Sequence, residues 1–342
     1  MSGEARTLAR AAWVLCVAML AGPAQAQESA RPLAETSDFW REVRRPGARR
    51  ARELLRQAAG HARRADQIRP GQAEHMRAAY LENAIVRLER ARALVPDDPE
   101  VLLRLGELLA RFERPMTGRA PERRTDEAIG VLEELLRIDP DYAPGIPEYQ
   151  LALLVARKGE RARAIAFYDA CVDGGASVRL RATCAGNRAE ELMLAGRLVE
   201  ALESYRQAAS LGARVADTRA VQLALFGLAL CRDRLGEHAD ALEEAGRALG
   251  MGLGLEVLTS PGVFFEPASE LRAYQGLGHL AAAKRSEGRE RRRHLRDAVQ
   301  AWRAYLRLAP EGDPWRDLAS RHLVDARAAL AAAEAEHGRD AP

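Results

Sequence analysis

Apolar positions along this chain return at steps of three and four, the spacing of one face of an α-helix. The clearest stretch is 84–109, AIVRLERARALVPDDPEVLLRLGELL. It joins the back of one helical hairpin to the front of the next. Ala84 is followed by the large Leu88, the small Ala91 and then Pro96; a second helix then carries Leu102, Leu105, Gly106 and Leu109 on one face. The phrase returns as Ala128, Leu132, Leu135 and Pro140, as Ala164, Tyr168 and Cys171, and as Ala201, Tyr205 and Ala208. It closes with Ala241, Ala245 and Ala248, and with Ala298, Trp302, Tyr305 and Pro310. Gly159, Gly196 and Gly236 each precede one of these small residues by five positions, where a helix must end and the chain reverse. Small residues let two helices approach, the large one fills the gap beside them, and no single hairpin buries its own apolar face. Neighbouring hairpins must therefore stack.

Successive small residues lie 36 to 57 positions apart, against a basic period of about 34 for repeats built this way. The phrase, over roughly 80–325, resembles the tetratricopeptide repeat (TPR) family; locally YRQAASLG (205–212) is also similar to a Sel1-like repeat. The resemblance implies an all-α solenoid of helical hairpins wound as a right-handed superhelix. An irregular N-terminal helical cap would cover 38–95, since Pro70 and Gly71 interrupt the front helix there. Repeats would fill 96–325, with insertions near 113–125, 250–268 and 286–296, and 326–342 would be the end of a capping helix and a frayed tail.

The order of elements follows from local signals. A helix is expected from Ala48 to about Ala65 and another up to about Leu94. Thr125 is expected to cap the helix that holds Ala128, with Asp126 and Glu127 in its first turn. Asp313-Pro314-Trp315 starts the closing helix, which runs to about Glu336. No run alternates as a strand does. Phe264 and Phe265 fall outside the helical pattern and are either folded back or exposed as a contact. Phe39 and Trp40 would anchor the leader onto the first hairpin.

Residues 1–26 have the pattern of a secretory signal peptide: Arg6 and Arg10, an apolar core over 11–22, and Ala24-Gln25-Ala26 as a small-x-small cleavage site. This places the mature chain, from Gln27, in the periplasm or outside the cell, with 27–37 as a flexible leader. The apolar core is too short to span a bilayer comfortably, and no other segment approaches transmembrane length. The residues before Cys16 are too bulky for a lipoprotein signal. In an oxidising compartment Cys171, which ends one hairpin, and Cys184, early in the next helix, could form a bridge with Cys231 a buried thiol; the other reading is three small apolar core residues.

Charge adds little. Fifty-two basic and 49 acidic residues leave a net charge of +3, poor grounds for binding nucleic acid. Arg289, Arg291, Arg292, Arg293 and Arg296 read as a solvated helix face or, more sharply, as a contact for an anionic partner. The residues contain no HExxH, GxSxG or P-loop motif. The seven histidines are scattered, no pair has metal spacing with a cysteine or carboxylate nearby in sequence, and neither a cofactor nor a metal is expected.

The TPR resemblance implies a concave groove lined by the front helices, a surface for extended or helical peptides. Its candidates are Glu107, Tyr149, Leu153, Asn187, Glu190, Phe226, Leu230, Gln275 and His279. Of the residues that grip a C-terminal carboxylate in this family, only Asn187 matches. The expected function is a non-catalytic protein-interaction scaffold of the bacterial envelope with a protein or peptide partner. The alternatives are an enzyme or enzyme accessory acting on the cell wall, and a structural protein that associates with surfaces or anionic polymers.

Overall fold

The computed structural model describes residues 47–69, 71–117, 120–263, 265 and 267–340, and the side chains of these up to 336. The signal-like segment, the leader, Phe39, Trp40 and Phe264 lie outside them. The described residues form thirteen α-helices, one 3-10 helix and one two-stranded ladder. The architecture is an all-α array of helical hairpins, with α-helices paired along the chain. Contacts divide it into two compact units, 1–167 and 168–342.

In the first unit, α1 (Ala48–Gln67) packs along α2 (Glu74–Leu94). Ala51, Leu54, Ala58 and Ala65 are the buried face of α1, and Ala78, Leu81, Ala84, Ile85, Leu88 and Ala91 that of α2. Next comes α3 (Pro99–Arg111). Asp98 caps it, accepting from the Glu100 and Val101 amides at 3.0 and 3.1 Å, while Pro99 supplies the preset first turn. The insertion that follows is an antiparallel pair, Glu113 opposite Arg123 and Arg114 opposite Glu122. Arg114 ties it together with ion pairs to Glu122 at 2.9 Å and to Glu82 of α2 at 2.5 Å.

The helix holding Ala128, α4, runs Thr125–Ile138. Thr125 is its first helical residue and caps nothing: the cap position belongs to Arg124, which has no side-chain capping bond. Arg124 instead pairs with Glu127 in the first turn and with Glu89 of α2 at 2.8 Å. These ion pairs fix the helix start where a hydroxyl cap was expected. Then come α5 (Ile146–Arg157) and α6 (Arg161–Asp173), and the division between the units falls within α6.

The second unit continues with α7 (Val178–Leu194), α8 (Leu198–Arg214), α9 (Thr218–Arg234) and α10 (His238–Leu249). A 3-10 helix, Gly254–Thr259, occupies the irregular stretch. The last helices are α11 (Ser269–Lys284), α12 (Gly288–Leu308) and α13 (Arg316–Asp340). Sequential packing joins α7 with α8, α8 with α9, α9 with α10, α11 with α12, and α12 with α13. The arginine segment 286–296 is largely the exposed start of α12. Phe265 lies against Tyr274, ring centroids 4.8 Å apart, so it is folded back.

The glycine turns work as the spacing predicts. Gly159, Gly196 and Gly236 have φ of 79, 77 and 86°, the left-handed region that glycine enters without penalty. The next amide in each case reaches back to a carbonyl of the last turn: Glu160 to Val155, Arg197 to Leu192, Glu237 to Arg232, at 2.9 to 3.0 Å. This is the bond that ends a Schellman turn. The same bond closes α8, from Asp217 to Gly212 at 2.9 Å, but there the left-handed residue is Ala216, at φ 51°.

Small residues also do what the phrase requires. A side-chain carbon added at Gly106 would overlap Leu132, at Gly227 Tyr205, and at Gly276 Trp302. Each glycine is the slot into which the large residue of a neighbouring helix fits.

Candidate functional site

The residues expected to line a groove fall into two groups. Tyr149 and Leu153 in α5 are 2% and 4% exposed, and Phe226 and Leu230 in α9 are 2% and 1% exposed. They are core and offer nothing to a partner. The expectation fails because α5 and α9 are apolar on nearly every side; a helix of that kind is covered all round. The others keep a solvent face. Glu107 is half-buried, pairs with Arg104 at 2.9 Å and accepts from Gln150 Nε2 at 3.3 Å. Asn187, Gln275 and His279 are also half-buried, and Gln275 accepts from Arg272 at 2.8 Å; Glu190 is half-buried as a residue, but its carboxyl end is in the interior.

Below this surface the second unit holds a dense set of ionisable groups. Arg234, in the last turn of α9, donates from Nη2 to both oxygens of Glu270 in α11, at 2.8 and 2.9 Å. Both side chains are buried, and the guanidinium lies 4.9 Å from the ring centre of Trp315. Burial works against the Arg234 charge, but Glu270 overcomes it and holds the guanidinium above its ordinary range. Beside it the Asp233 carboxylate bridges two imidazoles, His238 Nδ1 at 2.7 Å and His322 Nε2 at 2.8 Å. His322 stacks on Trp302 with centroids 4.7 Å apart. These contacts join the end of α9, the start of α10 and the last helix.

The Tyr205 and Tyr274 hydroxyls meet at 2.9 Å, and burial raises both phenols well above their usual range. Burial, helped by the charges of Glu191 and Glu270, pushes the Glu190 carboxyl up to about 8. The Cys231 thiol is pushed up to about 12, chiefly by burial. It therefore stays protonated and a poor nucleophile. Cys171 and Cys184 are joined as a disulfide, and Cys231 is free and buried.

The Arg234 and Glu270 charges offset one another, and the Asp233 carboxylate holds two imidazoles by hydrogen bonds. Among the described residues, two sets have ligand atoms close enough for a metal ion: Asp233, His238 and His322, and His279, His294 and Asp297. This corrects the view that the histidines are scattered. The first set was hidden, since Asp233 and His322 are 89 residues apart. In the second, the three-residue step from His294 to Asp297 on one helix was visible, but the facing His279 needed the packing of α11 on α12. Burial, ahead of the opposing pull of Asp297, holds the His279 imidazole below its ordinary range.

No protein-family model matches the chain, and no curated protein matches it. Solved structures do. A crystal structure of MamA shares 17% identity, covering 51% of this chain and 89% of that one, with a TM-score of 0.42. A second, of MamA protein, shares 16% over 64% of this chain and 98% of that one, with a TM-score of 0.45. The P58(IPK) TPR domain shares 15% over 87% of this chain and 70% of that one, with a TM-score of 0.34. The hairpin assignment rests on the chain's own helices, glycine turns and small-to-large contacts.

Proposed function

We propose that this chain is a non-catalytic protein-interaction scaffold of the bacterial envelope. The observation that carries the reading is the division of labour on the front helices. Their apolar residues are used up in packing between hairpins, while Glu107, Asn187 and Gln275 keep polar atoms at the surface. Within each unit, hairpins that present polar side chains from a packed core suit the holding of a partner segment. Two features support export: the signal-like pattern of 1–26, and the disulfide, which persists in oxidising compartments. On the arginine face of α12, Arg296 and Arg291 pair with Glu334 and Glu336, so that face is partly occupied already, which disfavours an anionic-polymer reading. The test is crosslinked capture from an envelope extract, comparing the parent with the triple variant Glu107→Ala, Asn187→Ala, Gln275→Ala. A partner held by the parent and lost by a still-helical variant supports the reading; equal capture by both places binding elsewhere.

A further inference from the structure

His294 and Asp297 stand one helical turn apart on α12 and project from one face. Helix α11 packs along that face and brings His279 opposite them. The two Nδ1 atoms are 3.4 Å apart, with ring centroids at 5.6 Å. A carboxylate oxygen of Asp297 completes a set whose three ligand atoms all lie within 4.8 Å of one another.

The spacing of the nitrogens is the informative quantity. It is long for an N–H···N hydrogen bond, since protein bonds from N–H cluster near about 2.9–3.0 Å. It is the length of an edge of a zinc tetrahedron: metal–nitrogen bonds of about 2.0–2.1 Å put neighbouring ligands about 3.3–3.4 Å apart. All three residues are half-buried, so an ion and its water can reach them. The Asp233 set differs. There the carboxylate already closes on both imidazoles at 2.7 and 2.8 Å, and Asp233 is 1% exposed. An ion would have to break two good hydrogen bonds to enter.

We propose that His279, His294 and Asp297 form a three-ligand site for a divalent transition metal ion of the zinc class. Two imidazoles and one carboxylate suit such an ion, and the fourth position is left to water. Glu290 lies one turn before His294, its oxygen 3.8 Å from His294 Nε2. This is beyond a hydrogen bond, and a small side-chain rotation would bring the carboxylate onto the ring from behind, as is common for metal-bound histidine. Arg293 stands 3.9 Å from Asp297, but its side chain is 79% exposed and turns to solvent readily. A bound ion would clamp α11 to α12. This inference does not depend on the scaffold reading.

The test is calorimetric titration of the chelator-treated, purified chain with Zn²⁺ alone, followed by the absorption spectrum of the Co²⁺ form. The parent should bind one equivalent tightly and give the visible bands of four-coordinate cobalt. His294→Asn and Asp297→Asn should each weaken binding on the order of 100-fold or more, and Glu290→Gln about 10- to 100-fold. His238→Asn should leave it unchanged. Helical content by circular dichroism is checked for each, and the two ligand variants are independent of one another. Absence of binding by the parent would overturn the proposal. So would binding that is lost in His238→Asn and kept in folded His294→Asn or Asp297→Asn.

Discussion

Breaking the Cys171–Cys184 disulfide should lower the stability of the second unit by an amount the chain itself sets. The bridge joins the end of α6 to α7 across 13 positions, and both residues are fully buried. Closing a loop of that size removes about 10 cal/mol/K of entropy from the unfolded chain, or about 3 kcal/mol at 25 °C. For a unit of this size each kcal/mol moves the melting temperature by about 2–4 °C, so the expected loss is about 6–12 °C. The comparison is made on one sequence to avoid mixing in cavity effects. The parent is melted oxidised, and again after unfolding, full reduction and refolding under reductant. The double variant Cys171→Ala, Cys184→Ala is melted under both conditions. The oxidised parent should lose its increment on reduction, and the variant should be indifferent to reductant. Because both sulfurs are buried, reductant added to the folded parent should act slowly. A melting temperature unchanged after complete reduction would refute the reasoning.

Further predictions concern the interior. Arg234→Met leaves Glu270 buried without its partner and should cost about 3–5 kcal/mol, whereas Arg234→Met with Glu270→Leu should recover most of it, as read from urea denaturation. The Glu190 carboxyl, raised to about 8 by burial, binds its proton more tightly when folded. Its contribution to stability is therefore complete below the unfolded carboxylate range and lost as pH rises through about 8. Glu190→Gln should accordingly be more stable than the parent at high pH by more than about 1 kcal/mol and nearly equal to it at pH ~4. Ala216→Gly relieves a left-handed alanine and should stabilise α8 by about 0.5–1 kcal/mol, a gain visible in thermal melts. Gly227→Ala drives a methyl group into Tyr205 and should destabilise by about 1–3 kcal/mol.

The sequence reading and the structure agree where physics is local. Steps of three and four place the helices, and the glycine turns follow because only left-handed backbone lets the next amide reach the last turn. The small-to-large phrase works because Gly106, Gly227 and Gly276 are slots for Leu132, Tyr205 and Trp302. Agreement stops where a residue's surroundings come from distant chain. Phe226 and Tyr149 occupy positions that the TPR resemblance gives to a groove, yet both side chains are buried in packing between helices. Thr125 has the chemistry of a cap, but ion pairs from Arg124 to Glu89 and Glu127 set the helix start. The Arg234–Glu270 pair and the Asp233–His322 contact leave no sequence signal, since each spans other helices. The three-residue step from His294 to Asp297 lies on one helix but was passed over, and only packing brings His279 to it.

If the polar residues of the front helices hold a partner, removing them together should release it. The most direct measurement is crosslinked capture by the parent, repeated with Glu107→Ala, Asn187→Ala and Gln275→Ala combined. The parent should retain a partner that the folded triple variant loses. Equal recovery of that partner by both proteins would contradict it.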